Sequence, residues 1–410
     1  MRRPHYAWTV LAASVVIELF GLGFGVFAIT TVYPYIIEAF PGWSRTTVFA
    51  PTSIVILTTG AMAPVTGILI DRLPIRVLFA VGIVLQSVAL FLFARIQTPA
   101  EYFGVAVLLG LGLSGVTILP NQVLVSRWFH RRVGLVNGVV LAATALGGAI
   151  SPALVTRLIE ATDWRTAFDW IAVLAFLPPM VVVLAIVRER PASVGMEPYG
   201  SADPDAPLAG WTLGQATRTA SFWALGAAMF LGGMPCYSFN KHILVVLRDL
   251  GYGAVPAADL KSLFFTVSAC SRLSYGWLCD RYDPPRMAVV HLAFIAAGYP
   301  LLLLVPAHRA LLMPCLLLVG IGYGGLLPSI PILSVHYFGR AHLGTILGVY
   351  KIPYDVAAAG SPLLTAWLFD VYGTYAVPEA WNSAFALAGL LIAAVGLARV
   401  DLRAADPASY

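Results

Sequence analysis

The chain has 410 residues, 59% of them hydrophobic and 11% charged, and a mean hydropathy of +0.84. Soluble globular chains run at roughly 45–50% apolar and about 25% charged. An ordinary soluble enzyme, a disordered chain and a nucleic-acid binder are excluded, and the even spread of apolar residues excludes a soluble domain on one anchor. The net charge of +5 comes from arginines scattered through short loops, with no basic run longer than three residues. Cys236, Cys270, Cys279 and Cys315 lack pairing or metal-ligand spacing and read as small packing residues. Neither a metal nor a cofactor is expected.

Arg2 and Arg3 flank an apolar run over 7–37, roughly twice a signal-peptide core, which predicts a first transmembrane helix rather than a leader. At about 20 apolar residues per span, eleven more helices follow over 47–70, 77–94, 103–126, 134–157, 167–187, 222–247, 261–279, 287–306, 310–338, 343–369 and 381–398. Ten-residue segments of alternating polarity are absent, which excludes a barrel. The interval 188–220 is rich in Pro, Gly, Ser and Asp and reads as a linker. The expected fold is an all-α polytopic membrane protein with twelve transmembrane helices. They form two six-helix bundles, 1–187 and 221–410, joined by a 188–220 loop. With both termini inside, fifteen arginines fall in cytoplasmic segments, against eight cations in outer loops and helix ends, Lys241 and Lys261 among them. That asymmetry places the termini and the linker in the cytoplasm, in a multi-pass monomer of the cytoplasmic (inner) membrane whose first partner is the lipid bilayer.

The two halves repeat. Gly67-Ile-Leu-Ile-Asp71-Arg72 after helix 2 matches Gly276-Trp-Leu-Cys-Asp280-Arg281 after helix 8, at an offset of 209. Gly138 with Ser151-Pro152 matches Gly348 with Ser361-Pro362, at 210. Trp128-Phe129 echoes Tyr337-Phe338, and Trp164 to Phe168 echoes Trp381 to Phe385. Two parallel six-helix repeats with a long central loop resemble the major facilitator superfamily, and the Gly-x-x-x-Asp-Arg element looks like its signature. Asp71, Arg72, Asp280 and Arg281 are expected to close a gate at the cytoplasmic loops or, more simply, to cap them.

What the repeats do not share is more telling. Arg272 falls opposite Ala63, and Lys351 opposite Leu141, so the scaffold requires neither cation. Arg272 lies eight residues from Asp280 and Lys351 nine from His342, about 12–13 Å into their helices. A hydrocarbon core is about 30 Å thick, so both sit near its middle, where one cation costs at least ~2.5–3.5 kcal/mol. Two such cations imply an aqueous cavity and a compensating anion. Arg272 can grip a carboxylate with two parallel hydrogen bonds, and Lys351 can add a point charge. The competing readings are structural ion pairs, of Arg272 with Glu18 or Asp355, and of Lys351 with Asp355 one turn along its helix. Lysine occurs only at 241, 261 and 351, against 22 arginines.

Ser271-Arg272-Leu-Ser-Tyr-Gly276 resembles the helix-8 arginine context of the monocarboxylate transporters, and the pairing of Arg272 with Lys351 is similar to the bacterial oxalate/formate antiporters. Gly42-Trp43-Ser44-Arg45, Arg131-Arg132-Val-Gly134 and Arg248-Asp249-Leu-Gly251 agree with that branch. The resemblance implies a secondary transporter of small carboxylates such as lactate, pyruvate, formate or oxalate, coupled to a proton or a counter-anion. Animal members carry an aspartate where this chain has Ser268 and a helix-1 lysine near Ala28, which counts against their proton route. Glu18, Asp355, His242 and Asp249 are the substitute proton acceptors, with a helix–helix hydrogen bond the alternative for Glu18 and polar helix ends for His242 and Asp249. Tyr33, Tyr35, Tyr323 and Asn121 are further cavity candidates, or ordinary helix contacts. A facilitator exporting larger amphipathic compounds is the second functional reading. No phosphate-loop, zinc-protease or nucleophile-elbow motif suggests an enzyme.

Overall fold

The computed structural model describes residues 5–129, 133–200, 210–339 and 342–397. Among these, twelve long helical segments follow one another. They are α1 Tyr6–Ala39, α2 Arg45–Arg72, α3 Ile75–Phe93, α4 Pro99–Trp128, α5 Val133–Ala161 and α6 Trp164–Ala185. After the linker come α7 Ala220–Asp249, α8 Ala254–Cys279, α9 Pro284–Leu304, α10 Arg309–Phe338, α11 Leu343–Tyr372 and α12 Ala376–Gly396. Ten of them are long and apolar enough to cross a membrane on length and composition alone. The two that fall short are α8 and α11, the helices that carry Arg272 and Lys351. The start of α8 was hidden for the same reason. Asp259 and Lys261 depress the hydropathy of its first turns, so the helix begins at Ala254 rather than at 261. Arg2, Arg3, Arg131 and Arg132 lie outside the described residues, as does the side chain of Asp71.

The outside of the helices is built for lipid. α3 exposes Val77, Val81, Val84 and Val88, and α6 exposes Trp170, Val173, Leu177, Val181 and Leu184. Both stripes follow helical spacing, and an exposed stripe as apolar as the buried one suits hydrocarbon. Polar caps mark where helices leave it. Ser44 accepts from the Thr47 amide at 3.1 Å, and Asp163 accepts from the amides of Arg165 and Thr166 at 2.8 and 3.1 Å.

Packing divides the chain into two compact units, Met1–Pro204 with Lys241–Thr266, and Asp205–Asn240 with Val267–Tyr410. In the first unit α1 contains a π-helical turn, Gly23–Phe27. Gly23 there crosses Gly147 of α5 so closely that a Cβ on Gly23 would stand 2.9 Å from the Gly147 Cα. α4 is interrupted between Ser114 and Ile118. Irregular turns free backbone carbonyls that hydrocarbon cannot satisfy, and buried amides answer them. Gln86 Nε2 donates to the carbonyls of Phe20 and Gly21 at 3.0 and 3.2 Å, and Asn121 Nδ2 to that of Val116 at 2.7 Å.

The linker docks on each unit in a corresponding place. The Tyr199 amide donates to the Trp128 carbonyl at 2.9 Å, and the Trp211 amide to the Phe338 carbonyl at 2.8 Å. Trp128-Phe129 and Tyr337-Phe338 are the aromatic pairs that echo one another in the sequence.

Candidate functional site

Within the second unit, α8 is clamped against α10. A Cβ on Gly324 would stand 2.5 Å from the Ser268 carbonyl oxygen, and Ser271 Oγ donates to the Ile321 carbonyl at 2.6 Å. This clamp fixes the turn from which Arg272 projects, half-buried. The guanidinium lies within electrostatic reach of the hydroxyls of Tyr323 on α10 and Tyr354 on α11. Tyr237 of α7 joins them, its ring meeting Tyr323 edge-on at 6.3 Å and Tyr354 at 5.3 Å. The Tyr237 and Tyr354 side chains share a hydrogen bond, and Asn240 bonds Tyr323. Met229, Phe230, Ile330, Pro353 and Tyr354 line an apolar crevice. Ser268, one turn before Arg272, is buried, and its hydroxyl has no hydrogen-bond partner among the described residues. A guanidinium within electrostatic reach of two phenol hydroxyls suits a small carboxylate, with a fork for its two oxygens.

Lys351 and Asp355 pair with each other on α11. The ammonium donates to both carboxylate oxygens, at 2.8 and 2.7 Å, while its side chain stays 53% exposed. Of the residues expected at the site, Arg272 and Tyr323 come together, whereas Tyr237, Tyr354 and Asn240 were not anticipated. Tyrosines in apolar helices are too common to stand out from sequence.

The remaining candidates lie in the first unit. Glu18 and Asn121, expected in separate roles, meet there, both fully buried, with Asn121 Nδ2 donating to Glu18 Oε2 at 3.1 Å. Tyr33 is buried on Phe49, and its hydroxyl donates to Thr52 Oγ1 at 2.9 Å. Tyr35 donates to Glu160 at 2.7 Å. His242 stacks face to face on Phe49 at 3.7 Å. Asp249 forms an exposed ion pair with Arg45 at 2.8 Å, beside Arg248 with Glu38 at 3.1 Å and Arg157 with Asp259 at 2.8 Å. Among the gate candidates, Arg72, Asp280 and Arg281 are exposed, and the Arg281 guanidinium covers the Trp277 ring at 3.9 Å.

Lys241 and Lys261, counted with the outer loops and helix ends, are buried rather than at a rim. They lie inside α7 and α8, 3% and 0% exposed. Lys261 Nζ donates to Thr30 Oγ1 at 2.9 Å, and Lys241 Nζ stands 5.9 Å from the Phe27 ring centre. All three lysines of the chain lie inside helices.

Twelve long helical segments among the described residues, ten of them long and apolar enough to cross a membrane, define a polytopic helical membrane protein. The Major Facilitator Superfamily model matches residues 15–352 and 243–408, and the chain belongs to that family. It is 28% identical over 410 residues to monocarboxylate transporter 11 of Mus musculus, covering 94% of this chain and 86% of that one. It is 26% identical over 378 residues to monocarboxylate transporter 12-B of Danio rerio, covering 85% and 78%. An uncharacterized MFS-type transporter of Bacillus subtilis (strain 168), YcxA, is 23% identical, covering 81% of each chain. Among solved structures, a bacterial homolog of the human lysosomal transporter Spinster, inward-facing and occupied, superposes with a TM-score of 0.74 at 14% identity, covering 98% and 99%. The nucleoside transporter NupG does so at 0.74 and 12%, covering 97% and 100%. These two structures speak for the fold alone.

Proposed function

We propose that this transporter carries small organic monoanions, of the class of lactate, pyruvate and formate, across the cytoplasmic membrane by alternating access of its 1–187 and 221–410 halves. Both termini and the 188–220 linker are cytoplasmic in this reading, in keeping with the arginine-rich loops on that side. The observation that carries it is Arg272, half-buried seven residues from the end of α8, within electrostatic reach of the hydroxyls of Tyr323 and Tyr354, whose rings Tyr237 meets. The names of the relatives of Mus musculus and Danio rerio support the same substrate class. Because Lys351 is neutralised by Asp355, Arg272 supplies the net charge of the site, and one carboxylate balances it. That favours a monocarboxylate over oxalate. With Ser268 where an acid would stand, exchange of one anion for another is the preferred coupling, and proton symport through Glu18 the competitor.

The test is uptake of labelled formate, lactate, pyruvate and oxalate into proteoliposomes, with and without a proton gradient and with trans-loaded anion. Saturable uptake of the monoanions, stimulated by trans-loaded anion, is expected. A null result across the panel, with transport of larger amphipathic compounds instead, would overturn the assignment.

A further inference from the structure

Four ion pairs lie in the first unit among the described residues, those of Arg45, Arg95, Arg157 and Arg248, and neither Lys241 nor Lys261 takes part in one. Glu38, Asp249 and Asp259 are each taken by an arginine, whereas Lys241 and Lys261 are enclosed and pair with no acid among the described residues. The two ammonium groups are close enough to act on each other electrostatically. An ammonium has three N–H donors. Lys261 spends one on Thr30 Oγ1, whose own hydroxyl donates to the Phe27 carbonyl at 3.0 Å. Lys241 faces the ring of Phe27. Burying two like charges side by side is costly, and a negative charge between them offsets that cost.

Their position along the helices separates them from the first site. Lys261 stands seven residues from the start of α8, and Lys241 eight from the end of α7, about 10–12 Å below the ends that the α7–α8 turn joins. Arg272 lies eleven residues further along α8, about 16 Å deeper and three full turns on, so its side chain leaves the helix on the same side as that of Lys261. The Phe27 and Phe265 rings meet edge to face at 4.7 Å beside the lysines.

We propose that Lys241, Lys261 and Thr30 form a second anion site, which takes one compact monovalent anion, a small carboxylate or a halide, when the Phe27–Phe265 contact parts. The two ammonium groups hold the ion from two helices, and Thr30 orients Lys261 toward it. The site does not depend on Arg272 binding substrate.

Thermal unfolding of the purified full chain in detergent, at constant ionic strength in sodium gluconate, tests this by replacing gluconate with formate in one arm and chloride in another. The lysine contribution is read in an Arg272→Gln background, so that ligand at the first site does not enter. A saturable rise in the unfolding midpoint is expected with at least one of the two ions, and the arm that saturates lower identifies the preferred class. In the same background Lys241→Gln with Lys261→Gln is expected to abolish the rise. Thr30→Val, which keeps both cations, is expected to raise the half-saturating concentration at least five-fold. No anion-dependent rise in the Arg272→Gln chain, or a rise that survives the lysine changes, overturns the proposal. Should the double lysine variant fail to fold, Thr30→Val decides, and an unchanged half-saturation overturns the proposal. The reading of Arg272 fails separately, if Arg272→Gln alone leaves formate transport unchanged.

Discussion

Trp128 donates its indole N–H to the carbonyl of Arg188 at 2.8 Å. Its repeat partner Tyr337 donates its hydroxyl to the carbonyl of Leu397 at 2.9 Å. Donor and acceptor are both displaced by 209 residues, the offset of the Gly-x-x-x-Asp-Arg elements. In each half an aromatic side chain at the end of the fourth helix thus satisfies a carbonyl released where the sixth helix ends. The ring chemistry has diverged while the bond persists, which identifies the bond as what the position requires.

Trp128→Phe and Tyr337→Phe keep most of the ring packing and leave one carbonyl unsatisfied. Each is expected to cost about 1–3 kcal/mol, read as a lower unfolding midpoint in detergent with substrate affinity unchanged. A loss in one half only would mean that the pseudo-symmetric bond is not equally structural.

Sequence showed the helices because hydrocarbon imposes length and composition on each of them. It faltered at α8, where Asp259 and Lys261 make the opening turns look like a loop although the helix starts at Ala254. Arg272 was visible as a cation without a counterpart in the other repeat. Lys241 and Lys261 were not, because a cation near the end of an apolar run reads as a rim residue until burial is known. The meeting of Glu18 with Asn121 spans 103 residues, and no local spacing encodes it.

Lys351 and Asp355 form a neutral unit, so they should tolerate joint removal better than single removal. Lys351→Gln leaves an uncompensated carboxylate beside the Arg272 site and is expected to weaken anion uptake more than Lys351→Gln with Asp355→Asn. The comparison is of initial rates at equal membrane expression. A double variant as poor as the single one would assign the ammonium to substrate instead.

Glu18 accepts from Asn121 inside the first unit, and its role separates the two coupling schemes. Under anion exchange, Glu18→Gln should preserve trans-stimulated uptake, because a glutamine oxygen can still accept from Asn121. Under proton symport, an inward proton gradient should drive accumulation in wild type and fail in the variant. Accumulation lost only in Glu18→Gln would displace exchange.

Ser268 sits one turn before Arg272, buried, with a hydroxyl lacking a partner among the described residues. Ser268→Asp would place a carboxylate where it can pair with Arg272. The introduced acid competes with substrate while ionised, so formate uptake should fall by ten-fold or more at neutral pH and recover as the acid is protonated. Uptake against pH in wild type and variant is the measurement. A variant with the wild-type profile would mean that Ser268 does not adjoin the bound anion.

Arg272→Lys is the most direct trial of the site. The change keeps one positive charge on α8, so insertion and folding should survive. What it removes is the planar fork that can meet both oxygens of a carboxylate, leaving a single strongly hydrated charge. The Tyr237, Tyr323 and Tyr354 rings remain, so binding should weaken rather than vanish. Hydrogen bonds to a charged group are worth about 1.5–3 kcal/mol, which corresponds to roughly ten- to more than hundred-fold at 1.4 kcal/mol per decade. The expected result is therefore a loss of most transport at equal membrane expression, with the apparent KM for formate raised by that order. Unchanged rate and affinity would make Arg272 a structural cation and leave the carboxylate without its ligand.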